Sequence, residues 1–447
     1  MPRLNLVTAV CRLCKQIIPV TTSVLQRRTL STGSSRYVLG IETSCDDTGA
    51  AIVDENGRVL SESLFSQLPI HIRNGGIIPP VARDLHRAKI QGVVNECVQA
   101  SGLDPEQLDA VAVSVKPGMA MALLVGMNHA KEIARKWNKP LIPIHHMEAH
   151  CLTIRMVEPV DFPFLYLLVS GGHALIGVAD DINKYQLFGS TTDDAPGEAL
   201  DKTCREMRLP LLPQYEKMSG GAVMDDLARF GDRDFFDFPV AMSRRRDCEF
   251  SFGGLKWAAK KIIMAEEKKH DFGPHGVIPT AHHLCASFLH AVIRTIAKRV
   301  ERAMRYIEMY DLLPPERRKL VLSGGVACSS YLREMLAFLC EKNGYTLHVP
   351  PPRLCTDNGI MIAWNGMEKL KRNMDLVPIE NLHTVDIDAK APFGEDISSK
   401  VTTAGIRIGT VKFPEWSKKI KMDPNDGRSA LDIINDRDCD LKVSVAN

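Results

Sequence analysis

Residues 37–54 read YVLGIETSCDDTGAAIVD, and residues 164–181 read FLYLLVSGGHALIGVADD. In each stretch an apolar run leads through a polar or glycine-containing turn into a second apolar run, which predicts a β-hairpin. The predicted strands are Tyr37–Ile41, Ala50–Val53, Phe164–Val169 and Ala174–Val178. Two hairpins of one design, far apart in the chain, indicate a duplicated lobe.

Strand and helix patterns alternate around both hairpins. Ala110–Val115 and Lys319–Leu322 are short apolar runs typical of strands, whereas apolar residues recur at helical spacing between Leu284 and Val300. Ser323-Gly324-Gly325 leads into a helix expected to begin near Ser329, and a final helical pattern from Asp357 to Met367 should pack on the first lobe. We therefore expect an α/β protein in which each lobe is a mixed sheet flanked by helices, with a cleft between the lobes.

The length of 447 residues is too great for one ordinary core. We expect a first lobe at residues 37–143, completed by residues 350–376, and a second lobe at residues 144–349. The pattern weakens from about Val377, so residues 377–447 are expected to form a C-terminal extension that is partly disordered.

Composition excludes several classes of protein. No apolar run approaches the roughly 20 residues needed to cross a bilayer, so a membrane span is not expected. A formal net charge of +2 gives no global attraction to nucleic acid, and any RNA contact must come from local basic patches. The 12 cysteines are scattered through the chain, which argues against a disulfide scaffold or a zinc ribbon.

The first 36 residues differ from the rest of the chain. They contain several arginines, serines and threonines, and no acidic residue occurs before Glu42. This profile predicts a mitochondrial transit peptide at Met1–Arg36 and a mature protein in the mitochondrial matrix. A disordered basic tail is the alternative.

His146 and His150 are four residues apart, so on a helix their imidazoles share one face and can bind one metal ion. Glu148 lies between them at a position that does not match the His-Glu-x-x-His pattern of zinc proteases. Asp357 is a candidate third ligand, which would complete a face of two histidines and one carboxylate. The alternatives are that the histidine pair is a packing feature and that Asp357 is a helix N-cap.

Two glycine turns are candidates for holding a nucleotide. Ser170-Gly171-Gly172 and Ser323-Gly324-Gly325 offer backbone amides that an anion can approach closely, although both also suit ordinary turns. The acidic segment Thr191–Lys202 lies between them in the chain, and we place its Asp201 in the cleft, where a carboxylate can accept hydrogen bonds from a nucleotide.

Five segments, in this order and spacing, resemble the tRNA threonylcarbamoyladenosine transferase family. They are Gly40–Thr48, His146–His150, Val169–His173, Asp193–Glu198 and Cys355–Asn358. The resemblance runs from about Tyr37 to Met367 and, with the basic leader, is strongest to the mitochondrial form. It implies the two-lobed fold of actin, hexokinase and the sugar kinases.

The resemblance also implies roles for particular residues. His146, His150 and Asp357 would hold one divalent metal ion per subunit: zinc, iron or magnesium. The residues that would contact threonylcarbamoyl-adenylate are Leu168, Val169, Ser170, Gly171, Gly172, Asp201, Gly221, Asp225, Ser329 and Thr356. Ser329 stands where the family pattern has an asparagine, and a hydroxyl reaches fewer positions on a nucleotide than an amide does.

The implied reaction is acyl transfer to N6 of adenine 37 in tRNAs that read codons beginning with A. The acyl donor would be threonylcarbamoyl-AMP made by a separate synthase, and the enzyme would act as a homodimer. Asp46 and Asp47, on the first turn, are candidates for accepting the N6 proton or for holding the adenylate. The basic runs Arg244–Arg246 and Lys256–Lys261 are candidates for contacting tRNA phosphates, with a solvated basic surface as the alternative.

Two other functions remain open at the level of sequence. An ATP-dependent small-molecule kinase on the same fold would need a nucleotide site but no histidine pair. A noncatalytic module that binds RNA or protein would need neither.

Overall fold

The computed structural model describes residues 35–269, 276–411, 413–414 and 429–432. The predicted transit peptide therefore lies almost entirely outside the described residues. Within the described part of the chain, no helix combines the length and the apolar character that crossing a membrane requires.

Eleven strands form two sheets in the described residues. The first sheet contains β1 (Tyr37–Glu42), β2 (Asp47–Asp54), β3 (Val59–Ser66), β4 (Ala110–Lys116) and β5 (Leu141–His145). The second contains β6 (Phe164–Val169), β7 (Ala174–Asp181), β8 (Lys184–Ser190), β9 (Lys319–Ser323), β10 (Thr346–His348) and β11 (Glu395–Asp396). The four strands predicted from the two hairpins are β1, β2, β6 and β7.

The two sheets share one topology. The first has the order β3-β2-β1-β4-β5, and the second has β8-β7-β6-β9-β10 with β11 added at the β8 edge. In both sheets, counted in chain order, the first strand pairs antiparallel with the second, and the second pairs antiparallel with the third. The first strand also pairs in parallel with the fourth, and the fourth pairs in parallel with the fifth. The structure thus confirms the α/β fold with duplicated mixed sheets, while the exact lobe boundaries stay a prediction.

Helices cover the sheets. The α-helices are α1 (Leu68–Arg73), α2 (Pro79–Ser101), α3 (Ala120–Trp137), α4 (His146–Leu152), α5 (Ile154–Val157), α6 (Pro196–Glu206), α7 (Gly220–Ala228), α8 (Gly253–Lys269), α9 (Ala281–Met309), α10 (Ser330–Lys342), α11 (Pro352–Cys355), α12 (Gly359–Lys371) and α13 (Ser398–Thr403). The residues predicted at helical spacing from Leu284 to Val300 are buried in α9.

Helix α12 packs on the first sheet, as the sequence predicted, and the approach is close. A Cβ on Gly40 of β1 would lie 2.2 Å from the backbone nitrogen of Ala363, and one on Gly359 would lie 2.5 Å from the carbonyl carbon of Ala50. Such distances exclude any side chain, so glycine at both positions allows helix and sheet to meet backbone to backbone. The start of α12 is thereby fixed above the strand ends.

The reading of Asp357 as the N-cap of this helix is wrong. Helix α12 begins at Gly359, and its N-cap is Asn358, whose side-chain oxygen accepts a hydrogen bond from the Met361 amide at 2.8 Å. Asn358 satisfies an otherwise unpaired amide of the first turn, which leaves the carboxylate of Asp357 free for other contacts.

The described part of the C-terminal extension is packed, although its sequence pattern weakens. Val377 forms a bridge with Leu141 of β5, and Leu382 and Val385 are buried in the core of the first sheet. Farther along, β11 extends the second sheet, and Val401 of α13 is buried in its core. The extension therefore contacts both sheets.

Candidate active site

Helix α4 brings two histidines into contact with Asp357. Nε2 of His150 lies 3.0 Å from Oδ1 of Asp357, and Nε2 of His146 lies 3.5 Å from the same oxygen. The three ligand atoms are all within 4.8 Å of one another, and they form the one such group of potential ligands found among the described residues. The predicted trio is therefore brought together as a candidate metal site.

The local sequence explains how α4 presents its histidines. The helix follows β5 directly, and the imidazole of His145 caps it by accepting the Met147 amide. Glu148 lies on a different face of α4 from the two histidines, and its carboxylate pairs with the buried ammonium of Lys369 on α12 at 3.2 Å. Because this carboxylate is paired away from the two histidines, the arrangement is unlike that of a zinc protease, as the spacing indicated.

Glu42 and Ser44 contact His146 at Nδ1, the ring nitrogen opposite the one that faces Asp357. Nδ1 of His146 lies 3.1 Å from Oε2 of Glu42 and 3.0 Å from Oγ of Ser44. Glu42 is fully buried. A carboxylate that holds one imidazole nitrogen while the other faces a cation is the usual support for a metal-binding histidine, so these residues fit a metal ion. Neither was singled out from the sequence, although a glutamate ending a buried strand is a signal, because a buried carboxylate requires a partner.

The electrostatics of the trio also fit a cation. Burial alone would lower the pKa of His146, but the charges of Glu42 and Asp357 outweigh it and raise the pKa to about 9. Burial would likewise raise the pKa of Asp357, but the charge of His146 and the hydrogen bond from His150 hold it below its usual range. Two carboxylates thus stabilise positive charge at this point, whether a proton or a metal ion supplies it.

His173 is a further imidazole near the trio. Burial and the charge of His146 lower its pKa to about 4, so the ring is neutral at physiological pH. Its amide donates to Oγ of Ser170 at 3.1 Å, which ties it to the glycine turn. The sequence motif contained His173 but assigned it no role, and its position links the metal trio to the second lobe.

The two glycine turns lie side by side in the second lobe. Strands β6 and β9 are parallel neighbours, with Leu168 opposite Ser323, so both turns leave the same edge of the sheet. Gly324 has φ +95°, and a Cβ there would lie 2.3 Å from the Val169 carbonyl oxygen. Around Gly171, Gly172 and Gly325, by contrast, an added Cβ would meet nothing within 4 Å. The turns therefore border open space, as a binding site for an anion requires.

Leu168 and Val169 support this site through their backbone. Both side chains are buried in the core, at 2% and 0% exposure, so a ligand can reach only their peptide groups.

Thr356, next to Asp357, is exposed, and its carbonyl accepts from the Asn358 side chain at 2.6 Å.

Helix α6 contacts the first glycine turn, and helix α7 contacts α6. The Gly197 amide at the start of α6 donates to the Ser170 carbonyl at 3.1 Å. Asp201 of α6 accepts a hydrogen bond from the Gly221 amide of α7 at 3.0 Å, and burial raises the pKa of Asp201. The predicted residues Ser170, Asp201 and Gly221 thus lie along one chain of contacts.

Asp225 and Ser329, both predicted to contact the adenylate, contact each other. The Ser329 hydroxyl donates to Oδ1 of Asp225 at 2.5 Å and also accepts the Leu332 amide as the N-cap of α10. The helix predicted to begin near Ser329 is confirmed. The hydroxyl that replaces the family asparagine is therefore used within the protein, and it links α7 to the second glycine turn.

Asp46 and Asp47 lie where β1 turns into β2. Burial and the charge of Asp357 raise the pKa of Asp46, whose charge in turn raises the pKa of Asp201. Asp47 is the first residue of β2, opposite Ser66, and burial together with the charge of Asp46 raises its pKa to about 7. Asp46 is thus electrostatically coupled to the candidate metal site and to the second lobe.

The basic runs are exposed or paired. Arg244–Arg246 are exposed, and Arg245 pairs with Asp247 at 2.6 Å. Lys256 pairs with Asp194, and Lys260 pairs with Glu206 at 3.0 Å. A role in RNA contact stays a prediction for both runs.

Comparison with known proteins agrees with this geometry. The family model described as tRNA N6-adenosine threonylcarbamoyltransferase matches residues 58–364. The chain belongs to this family. Membership confirms the resemblance carried by the motifs and favours an acyltransferase over the kinase and the noncatalytic module.

Individual relatives are similar over most of their length. The mitochondrial tRNA N6-adenosine threonylcarbamoyltransferase of Xenopus tropicalis is 45% identical over 380 residues, covering 84% of this chain and 93% of that protein. The human mitochondrial protein is 44% identical over 377 residues, covering 84% and 91%. The tRNA N6-adenosine threonylcarbamoyltransferase of Rhizobium leguminosarum is 39% identical over 337 residues, covering 74% and 88%.

Among solved structures, component A of (R)-2-hydroxyglutaryl-CoA dehydratase from Acidaminococcus fermentans superposes with a TM-score of 0.43 at 12% identity. The superposition covers 75% of this chain and 100% of that one.

The support of His146 by Glu42 leads to a prediction about metal affinity. We expect Glu42→Gln, which keeps the volume but removes the charge, to weaken divalent metal binding by about 10–100-fold. The double variant His146→Ala/His150→Ala should bind no metal at this site. Elemental analysis and calorimetric titration of the purified chains measure both effects.

The matched control is His383→Ala, which removes an exposed histidine that contacts the Glu380 carbonyl. Its metal content should equal that of the unmodified chain. Full metal occupancy in the double variant, with an unchanged melting temperature, would show that the metal binds elsewhere.

Proposed function

We propose that this chain transfers the threonylcarbamoyl group from threonylcarbamoyl-AMP to N6 of adenine 37 in mitochondrial tRNAs that read codons beginning with A. The products are the modified adenosine and AMP. The observation that carries the proposal is the pairing of a two-histidine, one-carboxylate cluster with an open pair of glycine turns, in a chain of this family.

The glycine turns are proposed to hold the adenylate. Gly171 and Gly172 border open space, so a phosphate can approach the backbone of this turn without a side chain in the way, and the Gly172 amide, which donates to the Ser170 hydroxyl at 3.3 Å, places that hydroxyl in the same turn. Asp201 keeps lone pairs that are not used by the Gly221 amide, and these can accept from the ribose hydroxyls. Asp225 lies beside the second turn through its contact with Ser329.

A divalent cation at His146, His150 and Asp357 would supply positive charge that polarises the carbamoyl oxygen. Imidazole nitrogens suit iron or zinc better than magnesium, which prefers oxygen ligands. His173, neutral beside this cluster, can donate or accept a hydrogen bond at the substrate without adding charge.

The proton of adenine N6 needs an acceptor. During transfer a bond forms between N6 and the carbamoyl carbon, the bond from that carbon to the phosphate oxygen breaks, and AMP leaves with the electron pair. Asp46 is the proposed acceptor of the N6 proton, because it lies on the first turn and burial raises the pKa of its carboxyl, which makes the carboxylate a stronger base than an ordinary aspartate. Asp47, whose pKa is raised to about 7, is the second candidate for accepting this proton.

The test of this function is transfer by the purified chain with threonylcarbamoyl-AMP and tRNA. We expect the release of AMP to depend on tRNA with adenine at position 37, and mass analysis should find threonylcarbamoyladenosine in that tRNA. Asp46→Asn should lower kcat by about 10²–10⁴-fold, the usual contribution of a proton acceptor. Asp84→Asn, at an exposed aspartate paired with Arg83, is the control and should leave kcat unchanged.

Phosphorylation of a small molecule by ATP, with no transfer to tRNA, would contradict the proposal and favour the kinase. An unchanged kcat in Asp46→Asn would contradict only the assignment of the proton acceptor.

Ser329 allows a second test of the adenylate site. Asparagine caps a helix as well as serine does, so Ser329→Asn should preserve the start of α10 while its amide reaches farther toward a nucleotide. We expect a KM for the adenylate that is lower by a few-fold to about tenfold, since a recovered hydrogen bond contributes about 0.5–1.5 kcal/mol, with little change in kcat. Ser399→Asn, at an exposed serine in the first turn of α13, is the control and should leave KM unchanged. An unchanged KM in Ser329→Asn would place this residue outside the binding site.

We also propose that the protein acts in the mitochondrial matrix and that Met1–Arg36 directs it there. The relatives from Xenopus tropicalis and human are named mitochondrial, and the leader has the composition of a transit peptide. A reporter fused to residues 1–36 should be imported and protected from added protease inside the inner membrane. Retention of the fusion in the cytosol would overturn this assignment.

A homodimer is likewise proposed from the family resemblance alone. Light scattering on the purified chain measures its oligomeric state.

A further inference from the structure

Cys328 and Cys355 form a pair of thiols beside the candidate active site. The described residues contain nine free cysteines, of which seven are buried, while Cys45 and Cys328 are partly exposed. Cys328 ends the second glycine turn and Cys355 ends α11, and the Cys328 thiol donates to the carbonyl of Pro352 at the start of α11, one helical turn before Cys355. Although they are 27 positions apart in sequence, both thiols therefore lie beside the same short helix.

Backbone carbonyls and one arginine hold the pair in place. Sγ of Cys328 donates to the Pro352 carbonyl at 3.5 Å, and Sγ of Cys355 donates to the Pro350 carbonyl at 3.3 Å. The guanidinium of Arg333 donates to the Ala327 and Pro350 carbonyls, at 2.5 and 3.2 Å, and lies 3.6 Å from the Cys355 sulfur. Arg333 thus ties the two segments together and brings positive charge to both thiols.

The environment distinguishes Cys328 from the buried cysteines. The interaction with the Cys355 side chain and the charge of Arg333 lower its pKa, against the opposing effects of burial and of Asp225, and the same interaction raises the pKa of Cys355. Burial raises the pKa of Cys97 to about 11 and that of Cys340 to about 12. A thiolate is the reactive form of cysteine, so a partly exposed thiol beside an arginine reacts before apolar, buried ones.

We propose that Cys328 and Cys355 are a reversible oxidation site, at which a peroxide converts the two thiols into a disulfide. The Cys328 thiolate attacks one oxygen of hydrogen peroxide, the O–O bond breaks, and the sulfur becomes a sulfenic acid as the other oxygen leaves as water. The Cys355 sulfur then forms a bond to the Cys328 sulfur and displaces a second water molecule. Two thiols lose two electrons, one peroxide gains them, and a dithiol reverses the step.

The position of the pair gives this oxidation a consequence for the active site. Cys328 precedes Ser329, which contacts Asp225, and Cys355 lies just before Thr356 and Asp357. A disulfide would fasten the turn that borders the adenylate to the loop that carries the third metal ligand. The effect on transfer rests on the proposed function, whereas formation of the disulfide does not.

Peptide mass spectrometry of the full chain tests the disulfide directly. After treatment with hydrogen peroxide and alkylation of the remaining thiols, we expect a cross-linked peptide pair containing Cys328 and Cys355, which disappears on treatment with dithiothreitol. In Cys355→Ser the partner is absent, so dimedone should instead trap a sulfenic acid at Cys328. Absence of both the cross-link and the dimedone adduct would overturn the proposal.

Transfer activity tests the consequence. In the unmodified chain we expect activity to be lost in proportion to the cross-linked fraction and restored by dithiothreitol, whereas Cys328→Ser should resist peroxide. Cys340→Ser, which removes a buried thiol, is the control and should respond like the unmodified chain. Equal loss of activity in Cys328→Ser and in the unmodified chain would show that oxidation acts elsewhere. A chain that forms the cross-link yet transfers nothing even when reduced would contradict the proposed function and leave the thiol site standing.

Discussion

The backbone contact between helix α12 and the first sheet is the constraint on which the candidate active site depends. Gly40 and Gly49 on the sheet face Gly359 at the start of the helix so closely that no Cβ fits between them. This contact fixes where α12 begins, and Asp357 lies two residues before that point. Main-chain packing, rather than a flexible loop, therefore holds this carboxylate next to the histidines of α4.

Charge is the second determinant of the site. Glu42 is buried and Asp46, Asp47 and Asp357 are half-buried in the same region, and these carboxylates raise one another's pKa or hold positive charge on His146. Buried carboxylates in this number are costly unless cations or hydrogen bonds offset their repulsion. The carboxylates that favour positive charge at the trio include Asp357, whose charge also raises the pKa of Asp46.

The sequence predicted the parts of the site whose patterns are local. The duplicated hairpins, the histidine spacing on α4 and the two glycine turns are each encoded within a few consecutive residues, and the structure contains all of them. Glu42 and the contact between Asp225 and Ser329 were not predictable as partners, because each joins elements separated by more than 100 positions. For Asp357 the sequence left the choice between a cap and a ligand open, and the structure excludes the cap, because Asn358 holds that position.

Duplication explains why the two lobes carry different chemistry on one topology. In each sheet the first strand runs parallel to the fourth. The turn that follows the first strand therefore lies at the end of the sheet where the fourth strand also ends. In the first lobe this turn contains Asp46 and Asp47, and in the second it contains Gly171 and Gly172. Carboxylates suit a cation and a proton, whereas glycine backbone that no side chain covers suits a phosphate. Divergence at these equivalent turns therefore places carboxylates in the turn of one lobe and uncovered glycine backbone in the turn of the other, which fits the proposed reaction between an adenylate and a neutral amine.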